Sequence, residues 1–183
     1  MVDVQDNPMP IQLQNLFDNL FKQLNQAETD AQQAQLKTQI IKEMAEATNL
    51  TSAYICQWFP QTGQSMVTTE YISDHANHLE RESDLGEYIV EDLSSFFGRG
   101  LIDGNPNPDT ANVFNLPLYD TDRRHYLEYG ACSICMARVW ANNVIWGYLE
   151  MWESRYEREF TQQDKAIFHY VADQFGNYYT TSP

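Results

Sequence analysis

Residues 131–152 constrain the fold more than any other stretch of the chain. Ala131 to Trp140 alternates between two kinds of side chain, Ala141-Asn142-Asn143 supplies turn chemistry, and Val144 to Trp152 returns with the same alternation. Side chains two apart on a strand share a face, so the hairpin sorts itself. Cys132, Ile134, Met136, Arg138 and Trp140 fall with Trp146, Tyr148, Glu150 and Trp152. Ala131, Ser133, Cys135, Ala137 and Val139 fall with Ile145, Gly147, Leu149 and Met151 on the opposite side. The second set is small and aliphatic, as expected where helices press onto a sheet. The first is large, aromatic and carries two charges. Binding pockets are mostly apolar with a few placed polar groups, which makes Met136, Arg138, Tyr148, Glu150 and Trp152 candidate ligand-binding residues. The alternative is a structural one, with Arg138 stacked across the strands on Trp146 and Glu150 turned to solvent.

The flanking segments complete an α+β pattern. Ser52 to Phe59 and Ser65 to Ile72 are rich in β-branched and aromatic residues around Pro60-Gln61-Thr62-Gly63, a second hairpin. Leu85 to Phe97 has a helical rhythm closed by Gly98-Arg99-Gly100, Asp103 to Pro108 reads as a loop, and Asp120 to Tyr129 as a further helix. Thr161 with Asp164 three residues later is a variant capping box opening a final helix that buries Ala166, Ile167, Tyr170, Val171 and Phe175. Between Pro10 and Ala47 no Gly or Pro intervenes. Leu13, Phe17, Leu20, Leu24, Ala27, Ala31, Ala34, Thr38, Ile41 and Ala45 fit one heptad frame, nine of the ten apolar. Such a helix either lies on its own domain or pairs with a second subunit, and Leu13, Phe17, Leu20 and Leu24 are then the dimerisation candidates. The Ala-rich middle is compatible with a break within Ala27 to Ala34. The expected fold is an antiparallel sheet of five to six strands, with the terminal helices on one face and a pocket covered by loops and helices on the other. Residues 1–33 are expected as a helical extension, 34–177 as the domain and 178–183 as a tail.

Composition removes several classes of function. Eleven Lys and Arg against 26 Asp and Glu give a net charge of −15 in 183 residues. A surface that tracks phosphates needs clustered cations, so neither nucleic acid nor an anionic membrane is an expected partner. No apolar run reaches the roughly 18 residues of a spanning helix, and the opening MVDVQDNPMP lacks a signal peptide's basic start, which points to the cytoplasm. Nine acidic residues between Glu70 and Asp103 read as a solvated segment.

Few residues suggest covalent chemistry. Cys132 and Cys135 have CxxC spacing, but residues three apart on a strand face opposite ways, so neither a disulfide nor a shared metal is expected. His75 and His78 would share a face only if helical, and an acidic solvated segment is the simpler account. No metal site and no catalytic residue is assigned.

Tyr126-Leu127, Gly130, Ser133 and Trp146-Gly147 follow one another in the last third, and Phe160-Thr161 with Asp164 opens the closing helix. In that order the last third resembles a GAF domain of the phytochrome type, the small-molecule-sensing module of signalling proteins. The resemblance implies a non-enzymatic sensory domain, of the two-component type, that binds a small molecule and relays it through the terminal helices of a homodimer. The cofactor is unknown. Bilin-attaching relatives carry a His-Cys or similar pair just before the Tyr-Leu, where this chain has Arg123-Arg124, so covalent bilin attachment is not expected. The alternatives are a ligand-free dimerisation scaffold, and a thiol-dependent oxidoreductase of the free methionine-sulfoxide reductase type. That last kind keeps its cysteines on loops, whereas Cys132 and Cys135 lie within a strand.

Overall fold

The two hairpins meet at the centre of one sheet. In the computed structural model, residues 9–80, 82–103 and 107–181 are described. Positions 1–8 of the opening segment, Arg81, residues 104–106 of the expected loop and 182–183 of the tail lie outside them. Strands β1 (Ser52–Phe59) and β2 (Gln64–Ile72) form the first hairpin, and β5 (Ser133–Ala141) and β6 (Val144–Glu153) the second. Short edge strands β3 (Tyr88–Val90) and β4 (Asp109–Asn112) complete a six-stranded antiparallel sheet in the order β3-β2-β1-β6-β5-β4. Helices α1 (Ile11–Gln26), α2 (Asp30–Ala47) and α5 (Gln162–Thr181) cover one face. The stretch between the hairpins, with α3 (Gly100–Asp103) and α4 (Thr121–Glu128), covers the other.

On the helical face, Ala53, Ile55, Cys135, Ala137, Val139, Leu149 and Met151 meet Phe17, Phe21, Ile41, Met44, Phe168, Val171 and Phe175 in one buried cluster. The parity expected of the second hairpin therefore holds over most of its length. It fails near the turn. Asn142 and Asn143 both take positive φ, 52° and 63°, forming a two-residue turn, and a bulge carries the pairing from Val139–Gly147 to Trp140–Ile145. Trp146 is the extra residue. It crosses to the helical face and stacks on Tyr179 of α5, with centroids 3.6 Å apart, while Ile145 joins the opposite cluster. The stacking of Arg138 on Trp146 consequently does not form. Ala131, which precedes the strand, also packs with that opposite cluster.

The N-terminal segment is two helices. The first helix ends at Gln26, and Thr29 caps α2 with a full capping box to Gln32, so the chain breaks at 27–29, within the stretch Ala27 to Ala34 that is compatible with a break. Phe17, Leu20 and Leu24 are at most 3% exposed, and Leu13 packs beside them; all four are used inside their own chain. Ala31, Ala34 and Thr38, further along the supposed seam, face solvent. The single continuous heptad helix is thus replaced by two helices packed within the chain, because α1 folds back onto α2 and α5. The expected boundary at 33/34 falls inside α2, and Tyr178, assigned to a tail, is buried in α5. At the start of α5, Thr161 N donates to Asp164 Oδ2 at 2.9 Å and Asp164 N to Thr161 Oγ1 at 3.1 Å, the expected box.

The helix expected over Leu85–Phe97 is absent. Gly86 takes a φ of +84°, and Ile89-Val90 extend to pair with Gln64 and Ser65 at the sheet edge. The β-branched pair gains ladder hydrogen bonds there that a short acidic helix would not supply. His75 and His78 sit in turns, exposed, so the helical spacing needed to bring them together does not exist. No described helix is long and apolar enough to cross a membrane.

Candidate functional site

The face opposite the helices is built from Tyr54, Cys56 and Trp58 of β1, Val67 of β2, Ile134 and Met136 of β5, and Tyr148 and Trp152 of β6. Phe97, Leu101, Val113 and Tyr126 descend onto it from the covering segment. Two polar clasps hold that cover down. At one, the N-terminus of α4 supplies carboxylates: Phe96 N donates to Asp120 Oδ2 at 3.1 Å and Phe97 N to Asp122 Oδ2 at 2.7 Å. Thr121 Oγ1 returns a bond to Asp92 Oδ2 at 2.7 Å.

The other clasp is Arg138. Its side chain is fully buried, donates to the carbonyls of Gly100 and Asn107, and pairs with Asp109 and, at 3.7 Å, with Asp103. A Cβ on Gly100 would stand 1.9 Å from the guanidinium, so glycine is what lets the loop approach. All three nitrogens of the fork thereby have a partner in the chain. Arg138 is a tether for residues 100–109, and Met136 lies under the cover, lining neither cavity described next.

Beside the first clasp, between residues 89–92 and α4, a cleft of about 260 Å³ opens against the sheet. Tyr148 and Glu150 are in its floor; Glu91 and Asp92 form one wall; Asp122, Arg124, His125, Tyr126 and Glu128 of α4 form the other. A further space of about 30 Å³ adjoins it, sharing Ile89, His125 and Glu150 and bounded also by Tyr54, Asp84, Tyr129 and Trp152. Of the five candidate residues, Tyr148 and Glu150 line the cleft, Trp152 lines the adjoining space, and Met136 and Arg138 line neither. Glu91, Asp122, His125, Tyr126 and Tyr54 were not singled out from the sequence. Glu91 was hidden inside a wrongly assigned helix. Tyr126 was visible as part of the Tyr-Leu pair, but nothing local told that it faces Glu150.

The electrostatics are unusual for an interior. Glu150 is 5% exposed, and burial pushes its carboxyl up to about 8, helped by the negative charge of Glu91 and opposed by the hydroxyl of Tyr126, which donates to Oε1. Glu91 is likewise raised by burial, against hydrogen bonds from Ser65 and from Tyr148, whose hydroxyl donates at 2.7 Å. Burial carries Asp122 to about 6 despite the Phe97 amide, and lowers His125. Asp92, at the rim, is held near 2 by bonds from Ser94 and Thr121. At neutral pH the floor therefore holds a protonated carboxyl, with acceptors ranged around it.

The cysteines stand apart from this arrangement. Cys56 and Cys135 are buried, Cys132 is half-buried, all three are free, and burial raises each thiol. None lines the cleft or the adjoining space. Thiolate chemistry needs a lowered, accessible thiol.

No protein-family model matches the chain, and no curated protein matches it significantly in sequence. Its fold has many counterparts among solved structures. The phycoerythrobilin-bound GAF domain of a cyanobacterial phytochrome superposes with a TM-score of 0.75 at 14% identity, over 94% of this chain and 96% of that one. A phycocyanobilin-bound GAF domain from a cyanobacterial phytochrome gives 0.72 at 16% identity, covering 93% and 94%. The chromophore-binding domain of a Stigmatella aurantiaca bacteriophytochrome gives 0.69 at 11% identity over 98% of this chain, which spans 64% of that one. The chain has the GAF fold.

Proposed function

We propose that this GAF-fold chain is a non-enzymatic sensory domain of a signal-transduction protein. It takes a small molecule, without a covalent link, into the cleft between α4 and the sheet. The observation that carries this is the cleft itself: an opening with Tyr148 and Glu150 in its floor, between two clasped segments, on the face opposite the helices. The ligands bound by the phytochrome domains of similar fold support a ligand-binding role. A volume of about 260 Å³ lies just under the roughly 300–1,000 Å³ of drug-sized pockets, which favours a ligand smaller than an open-chain tetrapyrrole.

Relay follows from the way the sheet is shared. β6 carries Tyr148, Glu150 and Trp152 toward the cleft and Leu149 and Met151 toward α1, α2 and α5. A ligand that binds one arrangement of α4 and residues 88–97 better than another biases that equilibrium by its differential affinity, and the helices read the result. An attached effector of two-component type, working in the cytoplasm, is the setting we favour. Dimerisation through Leu13, Phe17, Leu20 and Leu24 is left out, because the last three are buried within the chain and half-buried Leu13 alone has little to offer a partner.

One observation favours the ligand-free scaffold: Tyr54, Trp58, Phe97, Tyr126 and Trp152 already fill much of this face. Hydrogen exchange on the purified chain, screened against a small-metabolite library and read with native mass spectrometry, separates the two. The sensory reading expects a bound species that protects residues 88–97 and 121–128. Failure of every compound to protect those segments, or protection confined to the open cleft beside Thr110, Asn112, Arg158 and Lys165, would overturn it.

A further inference from the structure

We propose that the ligand of this cleft is a small organic cation bearing N–H donors, a protonated amine or guanidinium, seated against Glu150 and Glu91. This rests on the sensory reading above and adds the charge and class of the ligand. The lining contributes carboxylates from Glu91, Asp92, Asp122, Glu128 and Glu150, against the exposed Arg124 and a His125 that burial keeps neutral. Asp84 and Glu87 add two more in the adjoining space. A phosphate or carboxylate ligand would meet mostly like charge, relieved only by Arg124 at the rim, whereas a cation gains from each ionised carboxylate and from Glu150 once its proton is lost.

A second, independent feature points the same way. The Tyr54 hydroxyl, with Ser52 close by but outside hydrogen-bonding geometry, and the Trp152 indole N–H are buried and without hydrogen-bond partners among the described residues; they belong to residues 2% and 3% exposed that both line the space sharing Glu150 with the cleft. Buried polar groups are ordinarily paired, and an orphaned one marks a missing partner. The hydroxyl can accept an N–H from the ligand. The indole N–H is near enough to favour an ionised Glu150 but outside hydrogen-bonding geometry, so a small shift on ionisation would give it an acceptor. Tyr126, Tyr148 and Tyr129 line the same volume, and an aromatic face turned to a bound cation would add to its attraction. The hydroxyls of Ser65 and Tyr148 both donate to Glu91 Oε1, so neither competes with a ligand for Oε2.

Binding of a cation is then coupled to loss of the Glu150 proton. The groups facing that carboxyl are Tyr126, Asp122 and His125 from α4, Glu91 beyond β3, Tyr54 and Cys56 from β1, Tyr148 and Trp152 from β6, and Asp84 and Glu87 across the smaller space. With Glu150 titrating at about 8, affinity for an amine that stays protonated throughout rises about 10-fold from pH 7 to pH 9.

Isothermal titration calorimetry on the full chain tests this with agmatine, 1,4-diaminobutane and butylamine as probes, and with tetramethylammonium and benzoate as controls. At least one amine is expected to bind, more tightly at pH 9 than at pH 7, and to weaken 10-fold or more in Glu150→Gln and in Glu91→Gln, whose folding is verified by thermal melts. Saturation by benzoate with no amine binding overturns the assignment of charge while leaving the cleft a ligand site. Amine binding unchanged in both variants overturns the assigned seat. Absence of binding by all three amines, when another compound protects residues 88–97 and 121–128 from exchange, overturns the cation class alone; the sensory reading fails only if nothing protects them.

Discussion

Glu150 makes the chain less stable as pH rises, and replacing it by glutamine should remove that dependence. Its carboxyl titrates at about 8 in the folded protein and near 4.5 when unfolded. Between those values the folded state holds a proton that the unfolded state has released, so raising the pH favours unfolding. The stabilisation is fully present below pH 4.5 and lost as pH climbs to about 8 and beyond. At about 1.4 kcal/mol per pKa unit, the loss between pH 5.5 and pH 9 is about 3 kcal/mol. Glutamine keeps an oxygen for the Tyr126 hydroxyl and carries no proton to lose. Asp122 and Asp84, both pushed to about 6, and the raised Glu91 add a slope of the same sign that both proteins share. Urea unfolding followed by tryptophan fluorescence at pH 5.5, 7 and 9 provides the comparison, with Trp152 beside the site as a reporter. The two proteins should differ by under about 1 kcal/mol at pH 5.5, after which the variant should gain by about 3 kcal/mol at pH 9. Parallel curves across that range would refute the account of Glu150 as a buried, protonated carboxyl.

Other perturbations probe the supports of the site. Arg138→Met removes the buried guanidinium shared by Asp109 and the Gly100 and Asn107 carbonyls and should cost about 3 kcal/mol, with amide exchange accelerated selectively in residues 100–103 and 107–109. Phe17→Ala should cost about 3–5 kcal/mol by opening a cavity in the cluster where α1 packs with α2 and α5, and sedimentation under folding conditions should show the same mass as the parent protein. Asp164→Ala removes both the cap of α5 and the partner of Arg158, lowering the melting temperature by about 2–4 °C for each kcal/mol in a chain of this length, with about 1–2 kcal/mol expected. Gly147→Ala should fail to fold well, since its Cβ would stand 2.0 Å from the Cys56 carbonyl of the neighbouring strand.

Alternation and turn chemistry were enough to place both hairpins, the closing helix with its Thr161–Asp164 cap, and the faces on which most of β5 and β6 are sorted. They act locally, through the two-residue period of a strand and hydrogen bonds three residues apart. Local patterning also misled. The apolar residues of Leu85–Phe97 mimic a helix, yet their partners are strand β2 and the carboxylates of α4, 24 and 25 residues further on from Phe96 and Phe97. The N-terminal heptads announce an apolar stripe without saying whose surface receives it; α1 finds α2 and α5 of its own chain.

The site shows the same division. That Arg138 and Glu150 share a face with Tyr148 and Trp152 was legible, because parity is a property of the strand alone. Their fates were not. Arg138 is bound by carbonyls and carboxylates of residues 100–109, about 30 residues back in the chain, and becomes a tether. Glu150 is roofed by Tyr126 and flanked by Glu91, and becomes a proton-holding acid at the floor of a cleft. The bulge at Val139–Trp140 likewise moved Trp146 to the helical face, against Tyr179. By itself the sequence determined which side chains travel together, since that depends on backbone geometry between near neighbours. Only the tertiary structure decided which of them are covered, paired or left open, since desolvation and charge pairing depend on segments that the chain brings together from far apart.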